Sequence, residues 1–171
     1  MSESADDVVA WSRSVEKGED PLFCSIIDLS TQRPVGWASY LRIDPDMGSI
    51  EVGHVAYSPA LQRTAAGTEA MYLMMRRAFD ELRYRRYEWK CDSLNAPSWN
   101  AAARLGFQFE GIFRQNWVRY GRNRDNAWFS ILDSEWPAIC SALESWLDPA
   151  NFDDGGRQRR RLGDFMTVSR R

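Results

Sequence analysis

Three β-rich runs open the chain, Leu22–Leu29, Val35–Ile43 and Ile50–Tyr57. Ser30–Pro34 turns the first into the second, and Asp44-Pro45-Asp46-Met47-Gly48 the second into the third. Extended runs joined by short turns predict an antiparallel meander. The period then changes: Met71, Met74, Met75, Ala78, Phe79 and Leu82 fall at i, i+3, i+4, i+7, i+8 and i+11. That spacing is one apolar face of a helix, and its methionines read as core filling. Arg85–Cys91 is extended again. A strand, a helix and a strand make a crossover, so these two strands should run parallel. Pro97 suits the first turn of a helix over Ala96–Arg104 that Gly106 ends. Phe107–Arg119 and Asp125–Leu132 predict a long hairpin around Tyr120-Gly121-Arg122-Asn123. Ser134 is the expected cap of a last helix, with Trp136, Ile139, Cys140, Leu143 and Leu147 on one face. Ahead of the meander, Val8, Val9, Trp11 and Val15 give a short helix between Asp6 and Lys17, which Gly18 can end.

This order predicts an α/β fold of the mixed-sheet, α+β kind: a central, mostly antiparallel sheet, one βαβ crossover and flanking helices. The 171 residues fit one domain, expected over 1–148. Residues 149–171 form a polar tail with Arg157, Arg159, Arg160 and Arg161, expected to be mostly disordered. A hydrophobic share of 44% is that of a globular chain. The formal net charge of −2 gives no global field toward nucleic acid or anionic membrane, so neither is expected as a partner. No apolar run reaches the roughly 18 residues of a membrane span. Met1–Asp7 is acidic and unlike a secretory signal. Cys24, Cys91 and Cys140 are odd in number and widely spaced, without metal-ligand spacing. They read as reduced thiols, which suits a cytoplasmic location, and no metal is expected.

The stretch Ser58–Ala70 carries the first chemistry. Ala65, Ala66 and Gly67 sit where the crossover helix should begin. Small residues leave N–H groups uncovered at the positive end of the helix, a natural anion site. The strand, loop and helix can form a pyrophosphate cradle; a small-residue turn with no ligand is the plainer alternative. No Gly-Lys-Ser/Thr follows, so it is not a P-loop, and the glycines of a dinucleotide fingerprint are missing.

Further elements keep a fixed order around that loop. Glu51-Val52-Gly53-His54-Val55 precedes it, and Gln62-x-x-Ala65-x-Gly67-Thr68-Glu69-Ala70 forms it. Asn95-Ala96-Pro97-Ser98, Ala101-Ala102-Ala103-Arg104-Leu105-Gly106-Phe107 and Glu110-Gly111 follow. Over residues 20–162 this arrangement resembles the GNAT N-acetyltransferase superfamily, in particular its RimJ/RimL-type branch. The resemblance implies a GNAT-like acyl-CoA N-acyltransferase fold that transfers an acetyl group from acetyl-CoA to a primary amine. The acceptor would be a protein or peptide N-terminus or a small molecule, and transfer would be direct, within a ternary complex. No cysteine falls at a motif position, so an acyl-enzyme is not indicated.

The resemblance also assigns roles. The backbone of Gln62, Arg63, Thr64, Ala65, Ala66, Gly67 and Thr68 would hold the phosphates, with Arg63 adding charge. Val55, Ala56 and Tyr57 would pair with the pantetheine through backbone groups. Glu51 is the candidate general base, Ser98 the candidate proton donor to the leaving thiolate, and Asn95 a ligand of pantetheine or water. Each has a structural alternative: a surface ion pair for Glu51, a first-turn backbone contact for Ser98, an N-cap for Asn95, a solvated loop residue for Arg63. His54, the only histidine, should face away from Glu51 by strict alternation unless a bulge intervenes. Trp89, Trp99, Trp117 and Trp128 are candidates to line an acceptor cleft, or else core residues.

Departures from the family pattern shape the second reading. Ala65 stands where a glycine is usual, and the helix after Ser98 has no tyrosine. The strand and helix that precede this region in the family are not evident before Asp6, and they help shape the acceptor pocket there. A non-catalytic acyl-CoA-binding or interaction protein of the same fold is therefore the alternative. An uncovered sheet edge invites pairing with another copy, so a homodimer is one expected assembly.

Overall fold

The computed structural model describes residues 5–166. Helix α1 (Ala5–Val15) precedes β1 (Leu22–Asp28), β2 (Arg33–Asp44) and β3 (Ser49–Tyr57), the meander. Helix α2 (Ala65–Arg76) leads to β4 (Arg86–Asp92), and α3 (Ala96–Arg104) to the hairpin of β5 (Gln108–Arg119) and β6 (Arg122–Leu132). Helix α4 (Trp136–Leu147) follows. The side chain of Val8, expected on the apolar face of α1, lies outside the described residues.

The strands form one sheet in the order β1-β2-β3-β4-β6-β5. The crossover pair β3–β4 is parallel and the meander and hairpin pairs antiparallel, as expected, and β4 also pairs antiparallel with β6. Alternation divides the sheet into two faces. Tyr40, Ile50, Val52, Tyr87, Trp89, Phe129 and Ile131 pack with Met71, Met74, Met75 and Phe79 in one apolar core. The Tyr40 hydroxyl donates to the Met74 carbonyl at 2.8 Å, tying β2 to α2. The other face carries Glu51, Arg86, Glu88 and Lys90, which form ion pairs with one another and with Arg42 and Glu110.

Three local expectations are corrected. Leu82 is 45% exposed rather than in the core. A π-helical turn, Arg77–Glu81, follows α2 and rotates Leu82 off the apolar stripe. Ser134 does not cap α4: Glu135 holds the N-cap position without a side-chain cap bond, and its carboxylate accepts from the Leu132 amide at 2.9 Å. The segment after Pro149 is folded through Met166. Asn151 is buried, donates to the Trp146 carbonyl at 3.0 Å and accepts from the Arg160 amide at 3.0 Å. Leu162 is 1% exposed and belongs to the main core. Residues 167–171 lie outside the described range.

Because Leu162 is a core residue, Leu162→Ala should lower unfolding free energy by about 2–4 kcal/mol. Chemical denaturation measures this, and an unchanged midpoint would show that the segment is not docked.

Candidate functional site

The ladder between β3 and β4 runs from Ser49–Arg86 to Val52–Trp89 and stops, although both strands continue. Beyond it, β3 stays with β2, pairing Ala56 with Trp37 and Tyr57 with Gly36. Strand β4 stays with β6, pairing Lys90, Cys91 and Asp92 with Trp128, Ala127 and Asn126. The two strands therefore part into a wedge with Val52 and Trp89 at its apex. The cause on β3 is a bulge: Gly53 pairs with Ser39 and Ala56 with Trp37, so β3 carries one residue more than β2. His54 takes the extra position at φ 48°. Its Nδ1 lies 2.8 Å from the Ser39 hydroxyl, and Ser39 pairs with Gly53 two residues from Glu51. Simple alternation is thus overturned, and His54 lies on the same face as Glu51.

Strand β3 ends at Tyr57 and feeds α2 through a tight loop. Gln62 Nε2 donates to the Tyr57 carbonyl at 2.8 Å, and Arg63 is exposed at φ 62°. Thr64 is the N-cap: its hydroxyl accepts from the Gly67 amide at 3.1 Å and donates to the Leu61 carbonyl at 2.8 Å. That bond occupies Gly67 N–H, while the amides of Ala65 and Ala66 in the first turn have no intrahelical partner. The Tyr57 hydroxyl donates to the Gly67 carbonyl at 2.8 Å. A Cβ on Gly67 would lie 2.8 Å from the Leu61 carbonyl oxygen, so packing requires glycine there. The Thr68 hydroxyl faces inward and accepts from Arg104 at 3.0 Å. Val55 is exposed, and Ala56 and Tyr57 are half-buried along the wedge.

On the open face, Glu51 is only 3% exposed. Arg42 Nε lies 2.8 Å from its Oε2 and Lys90 Nζ 3.5 Å away. Burial pushes the Glu51 carboxyl above its ordinary range, and the cations of Lys90 and Arg42 pull the other way. Burial likewise pushes the Lys90 ammonium down, against the pull of Glu51. The two cations rest on aromatic rings, with Arg42 4.3 Å from the Trp128 centroid and Lys90 4.8 Å from that of Trp117. Glu51, expected as a base or a surface ion pair, is a buried ion pair. Sequence reasoning passed over Arg42 and Lys90. The signal for Lys90 is the alternation of Arg86, Glu88, Lys90 and Asp92 with Tyr87, Trp89 and Cys91.

On the opposite face, α3 presents Ser98 to the apex. The Trp89 indole N–H donates to the Ser98 hydroxyl at 3.0 Å, and that hydroxyl is also hydrogen-bonded to the Cys91 sulfur, where it opposes the upward push of burial on the thiol. Asn95 is the N-cap of α3, and its Oδ1 accepts from the Ser98 amide at 3.2 Å. Its Nδ2 stays available, so the cap and a ligand contact are compatible. Trp89 is core, Trp99 packs on Phe109 and Phe129, and Trp117 and Trp128 lie on the Glu51 face. Among the described residues, no cluster of three or more His, Cys, Asp or Glu side chains is placed to hold a metal ion. None of the described helices is long and apolar enough to cross a membrane.

A group lying in the wedge would meet unpaired strand edges on its sides, free helix amides at one end, Glu51 from one face and Ser98 from the other. This geometry suits an extended, anionic-ended ligand reacting at the apex. A family model described as "Acetyltransferase (GNAT) domain" matches residues 2–108. The chain is similar to the crystal structure of a GCN5-related N-acetyltransferase from Brucella melitensis, at 47% identity and a TM-score of 0.94. That match covers 96% of this chain and 75% of that one. It is also similar to a probable GNAT-family acetyltransferase from Chromobacterium violaceum, at 45% identity and a TM-score of 0.73. That match covers 80% of this chain and 68% of the other. No curated protein matches the chain.

Since a Cβ on Gly67 has no room, Gly67→Ala should destabilise the fold by about 1–3 kcal/mol. A thermal melt with and without ligand reads this, and an unshifted midpoint would show that the loop relaxes freely.

Proposed function

The chain belongs to the GNAT acetyltransferase family, and from that membership we propose that it transfers an acetyl group from acetyl-CoA to a primary amine in a ternary complex. The observation that carries this reading is the parting of β3 and β4 beyond Val52 and Trp89, with α2 and α3 starting at its open end. The fit to acetyl-CoA rests on the free amides of Ala65 and Ala66 and the unpaired edge of Val55–Tyr57. Bound there, acetyl-CoA supplies an acyl carbon with a good leaving group.

This chain's own residues do the rest. The backbone of residues 62–66 and the positive end of α2 hold the phosphates, and Arg63 adds charge. Thr64 and Gly67 shape that turn, while Thr68 supports it through Arg104. Glu51 takes a proton from the incoming ammonium, so the amine nitrogen can bond to the acyl carbon. As the carbon–sulfur bond breaks, Ser98, held by the Trp89 indole, gives its proton to the thiolate, and the second proton that the nitrogen sheds as the amide forms replaces it. Asn95 steadies α3 and offers Nδ2 to the ligand. Burial matters for Glu51, because a carboxylate of ordinary pKa is a weak base toward an ammonium and an upward shift improves the match.

One observation favours a second reading. Glu51 already faces two cations, Arg42 and Lys90, which suits a structural ion pair in an acyl-CoA-binding protein without catalysis. The readings part on mutation. Glu51→Gln and Ser98→Ala should each lower turnover by at least about tenfold while acetyl-CoA still binds in titration calorimetry. Unchanged turnover in both would favour the binding protein.

The pH profile gives a further test. The base works when deprotonated, so the rate should fall as pH drops through the Glu51 pKa, above the ordinary carboxylate range. The Lys90 cation holds that pKa down, so Lys90→Met should move the acid limb to higher pH. A limb that stays in place would exclude Glu51 as the titrating group.

A further inference from the structure

His54 is the only histidine of the chain, and the transfer chemistry gives it no task. It stands two residues past the apex, on the face that carries Glu51, and it is exposed. Residues with a Cβ rarely adopt its φ of 48°, and such a conformation persists only where surrounding contacts hold it. Two contacts fix the ring. Phe23 backs the imidazole at 5.3 Å between centroids, and Ser39 Oγ lies 2.8 Å from Nδ1. Ser39 is wholly buried, and its one hydroxyl proton goes to the Gly53 carbonyl at 3.2 Å. Both Ser39 contacts are hydrogen bonds only if Nδ1 carries the ring hydrogen and donates to Oγ. The neutral imidazole then has an unprotonated Nε2, free to accept on the exposed side.

Glu51 needs such a neighbour. Arg42 and Lys90 both hold its Oε2, at 2.8 and 3.5 Å. The other oxygen, Oε1, lies 3.8 Å from where a Cβ on Gly53 would stand, beside the residue that precedes His54. Each amide made from an ammonium leaves one proton over, because the nitrogen sheds two and the thiolate keeps one. A carboxylate only 3% exposed and flanked by two cations is poorly placed to release that proton to bulk water itself. From these contacts we propose that His54 is the proton outlet of the site. The proton that Glu51 takes from the ammonium passes from Oε1 through a water to Nε2, and the imidazolium releases it to solvent. Glu51 is then a carboxylate again and His54 a neutral imidazole, with the Nδ1 hydrogen on Ser39 throughout. His54 touches no reacting atom: it acts through Glu51, and Ser39 sets its tautomer. Among the described residues, no carboxylate or cation forms an ion pair with the imidazole, and its neighbours Phe23 and Ser39 are neutral, so no fixed charge competes for the ring. The inference rests on the transferase reading and adds to it a residue outside the pair that handles the reacting atoms.

His54→Asn and His54→Gly test the outlet, because both replacements tolerate a φ of 48°. Turnover is read as release of free CoA from acetyl-CoA with glycinamide, ethylamine and putrescine as acceptors, and acetyl-CoA binding by titration calorimetry. Both variants should bind acetyl-CoA as the wild type does and lose at least about tenfold in kcat. Added imidazole should restore kcat in His54→Gly and leave Glu51→Gln unrescued, since solvent can supply an outlet but not a buried base. Because the chain has a single histidine, nitrogen NMR of the untagged protein reads the tautomer directly, and the neutral ring should carry its hydrogen on Nδ1. A neutral ring protonated at Nε2 overturns the outlet, as does a His54→Gly variant that imidazole leaves unchanged. Wild-type kcat in both variants defeats the outlet alone, whereas acetyl-CoA binding without CoA release from any amine would defeat the transferase reading and the outlet with it.

Discussion

Two parallel strands that part after a short ladder leave backbone groups along both inner edges, and buried backbone groups demand partners. That constraint organises this molecule. Strands β3 and β4 share a ladder only as far as Val52 and Trp89, and each then keeps its outer neighbour alone. Their carboxyl ends feed α2 and α3, so two helix N-termini converge on the same opening. Open strand edges and positive helix ends are complementary to a long ligand with polar backbone-like groups and an anionic end. The candidate base precedes the apex on one strand, and Trp89 at the apex of the other holds the candidate acid.

The two faces of the sheet work under different electrostatics. One is an apolar core in which α2 and α4 cover the strands. The other sets charges among aromatic rings. There, desolvation outweighs attraction on both sides of the Glu51–Lys90 pair, since the carboxyl is raised and the ammonium lowered despite their proximity. A carboxylate in that state is poorly stabilised as an anion, which is what proton abstraction from an ammonium requires. The same burial that makes the pair a doubtful source of stability raises the proton affinity of Glu51, the candidate base.

The strands and helices were legible because their periods of 2 and 3.6 run over many residues, and the parallel β3–β4 pair followed from the crossover, whereas the insertion of β6 between β4 and β5 was not read from the sequence. What was not legible lies in single residues. Asn151 docks the segment after α4 through side-chain bonds to backbone, and Leu162 fills a core site alone, so no period announced either. The π-helical turn after α2 shifts Leu82 without changing composition. In the site, Glu51, Ser98 and Asn95 came from family resemblance, whereas the Arg42 and Lys90 contacts depend on tertiary placement.

The bulges tie these strands of argument together. Arg42 and His54 adopt positive φ, 49° and 48°, a conformation that costs a residue with a Cβ about 1–2 kcal/mol. Neither is glycine, and neither carries a turn signal. Without a bulge, Arg42 would follow the parity of Ala38 and Tyr40, and His54 that of Ile50 and Val52, into the apolar core. The register shifts on β2 and β3 turn both to the open face. Asp20 supports the first, its carboxylate accepting from the amides of Arg42 and Ile43 at 2.9 and 3.1 Å. Ser39 supports the second through His54. Strained positions of this kind persist where surrounding contacts fix them, as these contacts do. One bulge delivers a guanidinium to Glu51 and the other lies where β3 leaves β4, so two strained backbone positions flank the candidate site.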